Sequence, residues 1–267
     1  MGKPGKRLKL FCLDEAGAWN NLGLIHLSQS RCSDAIACYE RYLAISREIG
    51  SRRGEAAAWG NLGIAYYYLG LHDPAIAALN RQLAIAGGIG DIRGEGSALG
   101  NLGLVYEAQK DFPKAILAHE QQLGMFQQIG HRQGEKNALG NLGNAYYGMG
   151  NLAKAANYHH QCLKLAQQIS DHRGVAACWG NLGLVLFALK DYIQALDSYK
   201  QSLAAFQQVG DRLGEARALS HVGTVLMQLG QKTEAENNLK AALAIAQQIP
   251  DPLIIQTVAK QLKRLAE

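Results

Sequence analysis

Proline, cysteine, aromatic and charged residues are scarce in this chain. Of 267 residues only five are proline and five cysteine, aromatics make 7% and charged residues 18%. With 48% apolar residues and no Gly-X-Y period, collagen-like and intrinsically disordered classes are excluded. Cys12, Cys32, Cys38, Cys162 and Cys178 are odd in number and lack C-x-x-C spacing. They read as small buried apolar residues of a reducing compartment, not a disulfide framework or a zinc site. No long hydrophobic run is present: Leu182 to Leu189 falls far below the ~20 residues that span a bilayer. Leu10 to Leu13 is too short for a secretory apolar region. The expectation is a cytoplasmic protein with no membrane partner.

A basic field is also missing. The net charge is +5, but Lys3, Lys6, Arg7 and Lys9 supply four of those charges, leaving about +1 for the rest. A nucleic-acid binder carries its charge as a stripe on the fold, so no nucleic-acid partner is expected. Residues 1–13 read as a solvated basic lead-in. Met1-Gly2 resembles a myristoylation start, but Lys6 stands where that motif needs Ser or Thr.

Glycine is what the chain has in excess: 30 copies, about 11%, against a usual ~7%. A repeat explains them. Gly60-Asn-Leu-Gly63 recurs at 100–103, 140–143 and 180–183, with Asn20-Asn-Leu-Gly23 and Ser220-His-Val-Gly223 forty residues outside. The glycine at 23, 63, 103, 143, 183 and 223 is invariant, as is the alanine twelve residues later, from Ala35 to Ala235. Leu43 begins a matching series that ends at Leu243. Six windows follow: 14–53, 54–93, 94–133, 134–173, 174–213 and 214–253. Residues 254–267 form a last helix starting near Pro252.

Each window reads as two helices. Leu62, Tyr66 and Leu69 share a face of one; after Gly70, Ala75, Leu79, Leu83 and Ala86 share a face of the next. Gly70, Gly150 and Gly230 suit the position just past a helix end. Asp73-Pro74, Ser33 and Thr233 are candidate N-caps. The invariant Gly–Ala pair is expected to let two helices approach closely. Gly87-Gly88 stands where other units have Gln167-Gln168 or Gln207-Gln208, and is expected to interrupt its helix and soften the joint between units two and three. In the last segment Leu253, Ile255, Val258, Ala259, Leu262 and Leu265 fall largely on one side, opposite Lys260, Lys263 and Arg264, as in a solenoid cap with a wet outer face.

Leu62-Gly63, Tyr66, Gly70, Ala75 and Leu83 resemble the tetratricopeptide repeat, over about nine-tenths of the chain. The 40-residue unit is similar to the long-unit branch of Pins-type adaptors and bacterial, notably cyanobacterial, arrays. Gly140-Asn-Leu-Gly-Asn-Ala-Tyr146 and Ala118-His-Glu-Gln-Gln-Leu123 carry the likeness. The resemblance implies an all-α, right-handed superhelical solenoid of six helix-turn-helix units plus a C-terminal capping helix. It implies a concave face lined by the first helix of each unit, and a protein or peptide as partner.

Catalysis has no visible carrier, so no enzyme, cofactor or metal is expected. His119-Glu-Gln-Gln-Leu123 misses H-E-x-x-H at its second ligand, and His159 and His160 point about 100° apart on a helix. Binding has a carrier. The resemblance makes Asn21, Asn61, Asn101, Asn141 and Asn181 a ladder whose carboxamides hydrogen-bond a peptide backbone, each offering a donor and an acceptor. A structural use between helices is the competing reading. By the same register Ile64, Tyr67 and Tyr68, then Ser97, Leu104 and Glu107, then Asn137, Asn144 and Tyr147, then Leu184 and Phe187 face inward. Unit six replaces the rung with His221 and adds Arg217, so an acidic group is expected there. The expected function is a peptide-binding adaptor; the alternative is a self-associating, homo-oligomeric scaffold or a regulatory segment of a larger signalling protein.

Overall fold

A computed structural model describes residues 4–249 and 251–266, which hold thirteen α-helices and no strand. They are α1 (Pro4–Ser28), α2 (Cys32–Glu48), α3 (Arg52–Tyr68), α4 (His72–Gly88), α5 (Ile92–Ala108), α6 (Phe112–Gln128), α7 (Arg132–Gly148), α8 (Leu152–Gln168), α9 (His172–Ala188), α10 (Tyr192–Gln208), α11 (Arg212–Gln228), α12 (Lys232–Gln248) and α13 (Pro252–Ala266). Part of the expected lead-in is therefore helical: α1 begins at Pro4, while Lys3 lies outside the described residues. The later first helices open at 52, 92, 132, 172 and 212, two residues ahead of the sequence windows.

Beneath the 40-residue unit runs a 20-residue beat set by backbone stereochemistry. Ser30, Gly50, Gly70, Gly90, Lys110, Gly130, Gly150, Ser170, Lys190, Gly210 and Gly230 all have positive φ. Gly70 shows why. Its N–H donates to the Tyr67 carbonyl and the Leu71 N–H to the Tyr66 carbonyl, both at 2.9 Å, which closes the helix with a left-handed residue. The next residue is already the N-cap of the following helix. Asp91, Asp171 and Asp211 accept there from the N–H three residues on, at 2.8–3.0 Å. Asp73, Ser33 and Thr233 are consequently not caps. They lie inside the first turns, and the caps are Leu71, Arg31 and Gln231, with no side-chain bond.

Two compact units divide the chain, Met1–Asn141 and Leu142–Glu267. In the first, Ala35, Tyr39 and Leu43 of α2 pack on Ala58, Leu62 and Ala65 of α3, and Ala75 and Leu79 of α4 on Leu102 and Val105 of α5. The second repeats the scheme with Ala195 and Tyr199 of α10 against Val222 and Val225 of α11. One seam of the core thus forms between the second helix of one repeat and the first helix of the next.

The invariant glycine has a sharper reason than facing an alanine. A Cβ at Gly63 would stand 2.6 Å from Leu79 Cγ, and the Ala75 carbonyl oxygen is 3.4 Å away. Gly183 and Tyr199 are related in the same way. So are Gly103 and His119, Gly143 and His159, and Gly223 and Leu239. A large side chain sixteen residues on fills the missing Cβ volume, which leaves His119 and His159 buried.

Three further expectations change. Gly87-Gly88 does not interrupt α4, which has the same 17 residues as its neighbours. Leu253 is exposed, and Ile254 and Val258 supply the buried stripe of α13 against Leu239, Ala242 and Ala246; Lys260, Lys263 and Arg264 stay exposed. Cys162 and Cys178 form a disulfide between α8 and α9, with Cα atoms 6.3 Å apart, whereas Cys32 and Cys38 are buried free thiols.

Candidate functional site

In the first unit α3 and α5 meet, and first-helix residues three, six and seven places after the asparagine converge there. Ile64, Tyr67, Tyr68, Asn101 and Leu104 line one cavity of about 130 Å³, floored by Gly63, Leu79 and Val105. Tyr68, 64% exposed, also borders a wider apolar cleft of about 570 Å³ with Leu24, Leu27 and Leu69. The Tyr67 and Tyr68 rings are tilted against each other, centroids 5.5 Å apart. Expected groove residues of two successive repeats are thus brought together.

The asparagine row divides into satisfied and free members. Asn61 Nδ2 donates to Asn20 Oδ1 at 2.7 Å. Asn20 occupies the repeat position that is glycine at 60 and 100, so the same partner does not exist for Asn101 and Asn141. Both are half-buried and make no side-chain hydrogen bond among the described residues. Asn21, on α1, is exposed. In the second unit Asn181 is half-buried and likewise unbonded.

Gln261 of α13, forty residues after His221, takes the next rung position. It accepts from Ser220 Oγ at 3.0 Å and donates from Nε2 to Thr224 Oγ1 at 2.6 Å. That is the register of the Asn61–Asn20 bond, so the rungs at 61 and 261 are bonded within the fold, whereas Asn21, Asn101, Asn141 and Asn181 make no side-chain hydrogen bond among the described residues. The forty-residue count alone would have found Gln261 and Asn20.

Around His221 the second unit forms a cavity of about 190 Å³ from Arg217, Ser220, His221, Leu253, Ile254 and Thr257. Leu253, Ile254 and Thr257 come from the capping helix, which the repeat register does not reach. The His221 ring stacks on Tyr199, centroids 4.8 Å apart and 12° from parallel. Burial holds its imidazole below the ordinary range and the nearby Arg217 guanidinium adds to the effect. His221 is therefore neutral at pH 7, and the exposed Arg217 carries the local charge. Asn137, Asn144 and Tyr147 are exposed on α7; Phe187 is half-buried, 5.4 Å from Tyr192. Glu107 Oε1 lies in hydrogen-bond contact with Nε2 of the buried His119 at 2.9 Å.

Among the described residues no group of three or more His, Cys, Asp or Glu is arranged to hold a metal ion, and no helix is long and apolar enough to cross a membrane. His159 is buried and His160 exposed, so the two do not converge.

A tetratricopeptide repeat family model matches residues 14–87, 94–168, 136–208 and 174–248, and a second matches 61–125. No curated protein matches the chain. Among solved structures it is similar to a signal transduction ATPase with numerous domains, carrying a tetratricopeptide repeat sensor, from Pyrococcus horikoshii. The two are 18% identical with a TM-score of 0.77, over 97% of this chain and 40% of that one. It is also similar to the APC/C hetero-tetramer Cut9-Hcn1, at 20% identity and TM-score 0.70 over 99% of this chain and 46% of that one. A Rap protein complexed with competence and sporulation factor is 13% identical, TM-score 0.70, over 94% and 75%. At these identities the likeness is one of fold, and the chain spans less than half of the first two.

Proposed function

The chain belongs to the tetratricopeptide repeat family, and on that premise we propose that it is a non-catalytic adaptor that holds extended peptide segments on its first-helix faces. The observation that carries this reading is the contrast within the asparagine row. Asn61 is bonded inside the fold, whereas Asn101 and Asn141 present half-buried carboxamides without partners. Neither carboxamide is among the buried unpartnered groups, so each is open to water that a ligand's backbone can replace. Tyr67, Tyr68, Ile64 and Leu104 beside Asn101 supply apolar surface for the ligand's side chains. In the second unit Arg217 fits an acidic group, with neutral His221 as a hydrogen-bonding neighbour.

The test is capture of partners from cell extract by wild type, followed by titration of each against Asn101→Ala/Asn141→Ala. At about 1 kcal/mol per bond the double variant binds roughly 30-fold more weakly. Unchanged affinity with an unchanged melting temperature moves the site elsewhere. A second reading, a sensor or scaffold segment working within a larger polypeptide, is favoured by the 40% share of the ATPase that the chain spans.

A further inference from the structure

Two cysteines stand at repeat positions where no other window has one. The position of Cys178 is alanine in the other five, at 18, 58, 98, 138 and 218, and that of Cys162 is Tyr42, Gln82, Gln122, Ser202 and Ala242. Both departures fall on one seam, between α8 and α9, inside a single compact unit. The two side chains are 4% and 3% exposed and bonded to each other, with Cα atoms 6.3 Å apart, inside the span that a disulfide bridges. The seam does not depend on that bond. The equivalent seams of α2 with α3, α4 with α5 and α10 with α11 close by packing, with no covalent link. Cys12, Cys32 and Cys38 are free thiols.

We propose that Cys162 and Cys178 are a reversible thiol–disulfide pair that makes the stiffness of the α8–α9 seam respond to redox conditions. Both states keep the fold. Oxidised, the bond spans the turn at Ser170 and ties two positions 16 residues apart, which restricts the unfolded chain more than the folded one. Reduced, the pair is two small thiols in places that alanine and serine fill in other repeats. Oxidation takes a low-molecular-weight disulfide such as oxidised glutathione as co-reactant. The thiolate of one cysteine attacks a sulfur of that disulfide, and a small thiol leaves. The second cysteine then attacks the protein sulfur of the mixed disulfide, and the other small thiol leaves. The two protein thiols give up two electrons and two protons, and one small disulfide becomes two small thiols. Because both sulfurs are buried, exchange waits on local parting of α8 and α9. Asn181 follows Cys178 by about one turn of α9, so the bond also anchors the helix segment that carries this free rung.

The experiment equilibrates the folded full chain, without denaturant, in buffers running from dithiothreitol to oxidised glutathione. Samples are quenched with acid, unfolded and alkylated, and the mass counts the thiols. All five cysteines are alkylated at the reducing end and three at the oxidising end, with 162 and 178 linked, and the same curve is reached from either direction. The oxidised form melts roughly 5–10 °C above the reduced form, and amide exchange around Cys162 and Cys178 slows. Cys178→Ala, which installs the residue of every other repeat, melts at the reduced temperature in all buffers, and Cys162→Ser, the residue at 202, does the same. Five alkylated thiols in every buffer overturn the proposal. So does a bond that joins Cys12, Cys32 or Cys38 instead, or a melting shift that survives in both variants. A 162–178 bond that dithiothreitol opens only in denaturant also overturns it, since the link would then be fixed.

Discussion

Single residues mark this chain's turns, and four of the eleven left-handed positions are not glycine. Ser30, Lys110, Ser170 and Lys190 hold φ between 55° and 62°, where a side chain is strained by about 1 kcal/mol. Lys110→Gly is therefore expected to stabilise the protein by roughly that amount, read as an upward shift of the urea midpoint. Buried histidine gives a second residue-scale test. Burial, with a smaller push from His160, lowers the His159 imidazole to about 4, and its Nδ1 has no partner. Because the folded value lies below the unfolded one, the unfolded chain takes up the proton first. Stability is then full above about pH 6.5 and falls as pH drops toward 4, by about 3 kcal/mol at most. His159→Leu should flatten that slope, since Leu79 and Leu239 fill the same place over Gly63 and Gly223. An equally steep acid limb in the variant would assign the loss to other groups.

At the scale of the helix, length is uniform and composition is not. Every helix from α2 to α12 has 17 residues, because one left-handed residue and one cap recur every twenty. Within that frame α4 ends on Gly87-Gly88 and stays helical, held by Ile85 and Ala86 in the core. Each glycine still weakens a helix by about 1 kcal/mol relative to alanine, so the last turn of α4 opens more readily than its equivalents. Amide exchange at residues 85–89 should be faster than at 125–129. A Cβ at Gly87 would meet Glu95 at 3.5 Å and one at Gly88 nothing, so Gly87→Gln/Gly88→Gln is expected to abolish the difference. Equal exchange in the wild type would refute the soft end.

Over the whole of the described chain one helix, α13, stands outside the six repeats. The last repeat is covered by α13, whose Ile254 and Val258 join Leu219, Leu239 and Ala246. Burying two such side chains contributes about 4 kcal/mol. A chain ending at Gln248 should melt earlier and bind an apolar dye at its new surface; an unchanged melting temperature would show α13 to be a passenger.

The repeat length, the all-α class, the glycine ends and the capping helix were all legible in the sequence, because local stereochemistry and helical periodicity repeat wherever the same residues do. The cap positions were misplaced by two residues because the turn consumes fewer residues than a separate stop and start would need. The invariant glycine's partner, a side chain sixteen residues away, became visible only when two helices were packed. The split of one asparagine row into bonded and free members was likewise decided by tertiary structure. Asn61 and Asn101 sit in the same motif, and what separates them is whether the neighbouring helix presents Asn20 or Gly60. A pattern within one strand of sequence cannot hold that, since it is a property of what two distant segments place side by side.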